Sequence, residues 1–164
     1  MNPSYCRIRL PKDEALVRFA AWNGLAGVGP LIETRSMKAI ALACDEAGHW
    51  RGRGVFVSEL SGWTLFQDLS GALSGLDAES WREFAGSHEL VFAGYNDAIC
   101  SGELVVIRGG EIVRWFLAQR DCSEMNVDVG RLENERQPLD WIAVASFIDD
   151  DELAFCDEGW LWLF

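Results

Sequence analysis

The sequence predicts an α+β fold: one domain with a largely antiparallel sheet, built from hairpins and flanked by three or four helices. Two patterns predict it. Apolar, β-branched runs are joined by two-residue turns, and segments with helical spacing separate the other strand candidates. The length of 164 residues agrees, because one domain takes about 100–200 residues. We therefore treat residues 1–164 as a single domain.

The first strand and the first helix are expected within residues 5–24. Residues 5–10 alternate between polar and apolar side chains, as a half-buried strand does. Pro11 favours the first position of a helix, which should end at Gly24, before a glycine-rich loop. The apolar face of this helix consists of Leu16, Phe19 and Ala20.

Residues 36–47 fit two kinds of element. Ser36 is a suitable helix cap, and the apolar residues after it recur at helical spacing: Met37, Ile40, Ala41 and Cys44. The run 39–44 also fits a buried strand. We favour a helix that buries this apolar set, with Cys44 as a small core residue.

A first hairpin is predicted in the middle of the chain. Residues 54–60 and 63–69 are apolar runs separated only by Ser61 and Gly62. Such a pair is expected near the centre of the sheet.

A helix is expected to begin after Asp77, a good N-cap residue. Its inward-facing residues are Trp81, Phe84 and Ala85, and residues 89–95 form the next buried strand.

Gly109 and Gly110 mark a second hairpin, between strands 103–108 and 111–117. Two consecutive glycines adopt the positive φ of a type I′ turn without steric cost. Alternation places Val113, Trp115 and Leu117 on one face of the second strand and Arg114 on the other.

The C-terminal part should contain one more helix and one more strand. An irregular acidic stretch, 118–136, precedes Pro138, which opens a helix. Its apolar residues are Trp141, Val144, Ala145 and Ile148. The acidic run 149–152 ends this helix, and residues 160–164 form the last strand.

Charge is distributed unevenly along the chain. The net charge is -12, although residues 1–60 alone carry +2, and residues 121–164 contain twelve acids against two arginines. An acidic surface repels nucleic acid and anionic membranes, and it attracts a basic partner. Acidic surfaces also keep proteins soluble.

The sequence lacks the spacing of the common catalytic and metal sites. Its five cysteines form no CxxC pair, and its two histidines occur in no HExxH or His-x-His arrangement. Cys44 precedes His49 by five residues, but catalytic pairs of this kind usually meet through the fold. We expect reduced thiols, no cofactor, no metal and no enzymatic activity. Without an apolar run of about 18 residues or a signal-peptide core, the expected location is the cytoplasm.

Three segments resemble small bacterial immunity proteins, which neutralise toxins delivered by neighbouring cells. They are GRGVFVSELSGWTLFQDLSG from Gly52, ELVFAGYNDAICSGELVVIRGGEIVRWFL from Glu89, and DWIAVASFIDDDEL. The resemblance covers about residues 50–152. It implies a cytoplasmic, non-enzymatic α+β domain, rich in tryptophan and acidic residues, that binds a cognate toxin.

The resemblance and the charge together predict an immunity protein that occludes a basic active site of its toxin. Carboxylates would attract the basic surface, and an aromatic side chain would anchor the contact. The predicted partner-binding residues are Asp149, Asp150, Asp151, Glu152, Asp157, Glu158, Trp160 and Trp162. A regulatory interaction domain with another partner, or a small hydrolase with a carboxylate pair, is the alternative. The oligomeric state is open.

Overall fold

The computed structural model describes residues 4–120, 122–133, 135, 139–148 and 157–164. The strands in these ranges are β1 (Ser4–Ile8), β2 (Leu31–Arg35), β3 (Gly54–Leu60), β4 (Trp63–Asp68), β5 (Leu90–Asn96), β6 (Ser101–Arg108), β7 (Glu111–Gln119), β8 (Val127–Gly130) and β9 (Glu158–Leu163). The helices are α1 (Lys12–Trp22), α2 (Ser36–Ala43), α3 (Ala78–Ala85) and α4 (Trp141–Phe147), with a 3₁₀ turn at Ser123–Met125. None of these helices is long and apolar enough to cross a membrane.

The strands form one sheet in the order β2-β9-β3-β4-β1-β5-β6-β7-β8, and every neighbouring pair is antiparallel. This arrangement confirms the predicted α+β class. Both predicted hairpins are present, with positive φ at Ser61 (51°) and Gly62 (82°), and at Gly109 (58°) and Gly110 (82°). Strand β1 lies between the first hairpin and β5, because it pairs with β4 on one side and β5 on the other. Strand β5 then pairs with β6 of the second hairpin.

One face of the sheet carries α1 and α3 around an aromatic core. Phe19 of α1 stacks on Phe66 at 4.7 Å between ring centroids, and Trp81 of α3 stacks on Phe92 at 4.3 Å. Both helices begin near the predicted residues and bury the predicted faces. Asp77 caps α3 by accepting a hydrogen bond from Ser80 N–H. Because a buried aromatic side chain removes about 200 Å² from water, each contributes about 5 kcal/mol of gross stabilisation.

The opposite face carries α2 over β3 and β9 and α4 over β5 and β6. The helix expected after Ser36 is present, but its buried face is only partly the predicted one, because Ile40 packs against the sheet while Ala41 is exposed. Ala39 and Ala43 pack on the sheet, whereas Met37 is 83% exposed and Cys44 is half-buried. The small side chains of Ala39 and Ala43 let the helix backbone lie close to Phe56.

The predicted face of Val113 in β7 is wrong, because the second hairpin contains a β-bulge. Ile107 pairs with Ile112, but Val106 pairs with Arg114, so Val113 is an extra residue in its strand. The extra residue reverses the alternation. Val113 therefore packs on the face that carries α4, while Trp115 packs on the α1 and α3 face.

Strands β2 and β8 were not predicted from the sequence. Strand β8 has only four residues, three of them exposed, and β2 follows the glycine-rich loop with two charges in its five residues. Both are the outermost strands in the sheet order. Short, charged edge strands carry little of the apolar alternation that identifies a strand.

Candidate functional site

Four of the predicted partner-binding residues lie at or in strand β9: Asp157, Glu158, Trp160 and Trp162. Residues 149–152 lie outside the described ranges. Asp157 accepts a hydrogen bond from Ser36 Oγ at 2.9 Å and lies 3.9 Å from the Nε atom of Arg35. Asp157 thus fixes the start of α2, and Glu158 is exposed at the first position of β9.

The two tryptophans of β9 differ from each other. Lys12 Nζ lies 3.6 Å from the ring centroid of Trp160, which is partly buried. Trp162 has no exposed surface and contacts Phe19 and Phe164 at 5.4 and 5.3 Å between ring centroids. Its indole is part of the core, so Trp162 has no surface to offer a partner.

A small pocket opens where the loop before α3 meets strands β6 and β7. Its volume is about 120 Å³, and it is lined by Gly75, Leu76, Asp77, Glu103, Val105, Trp115, Phe116 and Leu117. The register explains the walls, because Glu103 lies opposite Leu117 and Val105 lies opposite Trp115. Directly opposed residues of antiparallel strands project on the same face. We call this cavity the Glu103 pocket.

The Glu103 carboxylate is held at the pocket by the main chain. Both of its oxygens lie 3.1 Å from the backbone nitrogen of Gly75, which donates a shared hydrogen bond. Burial raises the pKa of Glu103, and the hydrogen bond from Gly75 acts in the opposite direction. The surroundings therefore disfavour the charged form relative to water, and a cation placed there would relieve that cost.

An acidic groove on α3 continues from the pocket, and the two share Asp77 as a lining residue. Its volume is about 440 Å³, and its other lining residues are Glu79, Ser80, Arg82 and Glu83. Arg82 forms an ion pair with Glu79. Three carboxylates against one guanidinium leave the groove negatively charged.

An apolar strip extends from the pocket to the sheet edge. Trp115 and Leu117 pair with Val129 and Val127 of β8. Val129 is 51% exposed, although its side chain projects on the same face as the partly buried ring of Trp115. The Glu103 pocket, the α3 groove and this strip together form a surface that we call the acidic corner.

A buried ion cluster on the other face holds β8 in place. Arg114 has no exposed surface, and its guanidinium donates to both carboxylate oxygens of Glu135, at 2.6 and 2.9 Å. Its Nη1 atom lies 2.8 Å from Asp128 Oδ1 and donates to the carbonyl of Val129 at 3.0 Å. The cluster therefore ties the edge strand to β7 and positions the outer wall of the acidic corner.

Neither the Glu103 pocket nor the α3 groove is lined by the residues considered for catalysis. His49 is 81% exposed, and its Nδ1 atom lies 3.5 Å from the carboxylate of Asp45. Hydrogen bonds from backbone N–H groups, that of His49 first, lower the pKa of Asp45. The four described cysteines are free thiols, and no group of three His, Cys, Asp or Glu side chains in the described ranges could hold a metal ion.

Glu103 was not predicted as a site residue, although the pattern of its strand contains a signal. Residues 103, 105 and 107 project on the same face of β6, and the last two are buried core residues. A glutamate on the same face of a strand as core residues lies either at the rim of the core or in a functional pocket.

Family models, curated proteins and solved structures give no match to this chain.

Proposed function

We propose that this protein is a cytoplasmic, non-enzymatic binding protein of the immunity type, which neutralises a toxin by covering its basic active-site surface with the acidic corner. The observation that supports the proposal is the combination of an apolar strip, a carboxylate pocket and an acidic groove on one continuous surface. Interface hot spots have this composition, with an aromatic residue near the centre and polar groups at the rim.

Charge and apolar area would have separate roles in this interface. The carboxylates of Glu79 and Glu83 are exposed, so they accelerate encounter with a basic surface more than they strengthen the final complex. The strip around Trp115 loses water on contact and slows dissociation. A protein with this division would capture a basic enzyme quickly and release it slowly.

A second candidate is the acidic set predicted from the sequence, residues 149–152 together with Asp157 and Glu158. The experiment must separate the two surfaces, because both attract a basic partner. Charge reversal in matched variants does so: E79K/E83K changes the acidic corner, and D149K/D150K/D151K/E152K changes the acidic run. The control E33K/E46K reverses two exposed acids at the other end of the sheet.

The test begins with capture of the partner from its native lysate by tagged wild-type protein, followed by identification of the captured protein. That protein is then expressed in a sensitive host, with and without each variant. We expect it to be toxic alone and harmless with wild type or E33K/E46K. E79K/E83K should protect poorly and associate more slowly, and the difference should shrink with salt, because exposed charges are screened over about 8 Å at physiological ionic strength.

Each alternative has its own outcome. A captured protein that is not toxic would refute the immunity function and favour a regulatory interaction domain. Full protection by E79K/E83K, with loss of protection in the variant at residues 149–152, would move the interface to the acidic run.

A further inference from the structure

We propose that the Glu103 pocket receives one lysine side chain of the partner protein, with its ammonium group on the Glu103 carboxylate and its aliphatic stem along Trp115 and Leu117. The identity of the partner rests on the proposed function. The preference of the pocket for an ammonium group is a property of this chain and is tested on it alone.

The size of the pocket limits the ligand to one side chain. A volume of 120 Å³ equals about four water molecules at about 30 Å³ each. Sites for drug-sized ligands occupy about 300–1,000 Å³. The pocket therefore has room for a single head group and part of its stem.

The chemistry of the lining favours a cation. The Glu103 carboxylate accepts hydrogen bonds and repels anions. Asp77 is a second acidic residue of the lining, and its Oδ1 atom accepts from Ser80 N–H at 2.8 Å. The remaining walls are mostly apolar side chains, Val105 and Leu117 among them. A lysine matches both parts, because its methylene stem packs on apolar surface while the ammonium group keeps polar partners.

The hydrogen bond from Gly75 distinguishes lysine from arginine. The Gly75 nitrogen lies 3.1 Å from both Oε1 and Oε2 of Glu103, so it occupies the side of the carboxylate between the two oxygens. A guanidinium group forms its strong, bidentate pairing from that same side. The outer lone pairs stay open, one on each oxygen, and a compact ammonium group binds there as a single point charge.

The test uses the full-length, ¹⁵N-labelled protein and three small probes. They are the N-acetyl methylamides of lysine, arginine and norleucine, and norleucine has the lysine stem without the charge. The signals followed are the backbone amide of Gly75 and the indole N–H of Trp115. We expect saturable shifts with the lysine probe, weaker binding of the arginine probe, and no binding of norleucine.

Two variants assign the effect to Glu103. Glu103→Gln keeps an acceptor for Gly75 but removes the charge, and it should weaken lysine-probe binding about tenfold or more, as loss of a charged hydrogen-bond partner does. Glu111→Gln changes an exposed carboxylate on the same hairpin and should bind as wild type. In the wild type, a saturating lysine probe should also lower the pKa of Glu103, measured from its side-chain carboxyl resonance.

Three outcomes would overturn the inference: no saturable shift with the lysine probe, equal or tighter binding of the arginine probe, or unchanged binding in Glu103→Gln. The wild-type titration decides the question even if that variant does not fold. Probe binding together with a non-toxic captured partner would refute the proposed function and leave the pocket assignment intact. Protection from a toxin without probe binding would refute the pocket assignment and leave the proposed function intact.

Discussion

The ion cluster around Arg114 predicts a large loss of stability when Glu135 is truncated. The Glu135 side chain is 4% exposed, and the two hydrogen bonds from Arg114 form a fork on its carboxylate. Glu135→Ala removes both bonds while the guanidinium stays buried. The nearest remaining carboxylate, Asp128, is 64% exposed and therefore well screened by water.

The magnitude follows from the penalty for an uncompensated buried charge. Breaking a buried ion pair by removing one partner costs about 3–5 kcal/mol. Because Asp128 and the Val129 carbonyl still contact Arg114, we expect the lower end, about 3 kcal/mol. In a chain of this length each kcal/mol lowers Tm by about 2–4 °C, so Tm should fall by about 6–12 °C.

Urea unfolding of three variants checks this reasoning. Glu135→Ala should lower the free energy of unfolding by about 3 kcal/mol with an unchanged m-value. The double variant R114M/E135L removes both charges and should be at least about 1.5 kcal/mol more stable than Glu135→Ala, because no buried charge is left unpaired. Glu133→Ala, at an exposed neighbouring site, should stay within about 0.5 kcal/mol of wild type. A loss below about 1 kcal/mol in Glu135→Ala, or a double variant as unstable as the single one, would refute the assigned role of the cluster.

Three further predictions concern a turn, a carboxylate and a thiol. Valine at Gly109 or Gly110 should lower the free energy of unfolding by about 1 kcal/mol or more, since both glycines have positive φ. Gly110→Val should be the more destabilising of the two, because its Cβ would lie 3.3 Å from the carbonyl of Gly86. Equal unfolding midpoints for the variants and the wild type would contradict this. Burial raises the pKa of Glu103, so this carboxyl ionises at lower pH in the unfolded chain than in the folded protein. The wild type should therefore lose stability relative to Glu103→Gln as pH rises above 4.5. Melting curves at several pH values measure this, and a difference in Tm that does not change with pH would argue against a desolvated carboxyl. Burial also raises the pKa of Cys6, so its thiol should be alkylated slowly in the native protein, while all five cysteines should react after denaturation without reductant.

Much of the fold could be predicted because its signals are local. Gly109 and Gly110 require no distant partner to adopt a type I′ turn, and Asp77 caps α3 through an atom three residues away. The face of α1 follows from helical spacing alone. These features depend on φ and on hydrogen bonds within one turn, which neighbouring residues control.

The acidic corner could not be predicted in the same way, because it depends on contacts between distant segments. Glu103 meets Gly75 across 28 residues, and Arg114 meets Glu135 across 21. Val113 lies on the face opposite to the predicted one, because a bulge, set by pairing with β6, reverses the alternation of its strand. Turns and caps follow from the local sequence, whereas burial, desolvation and pairing of charges follow from which segments the sheet brings together.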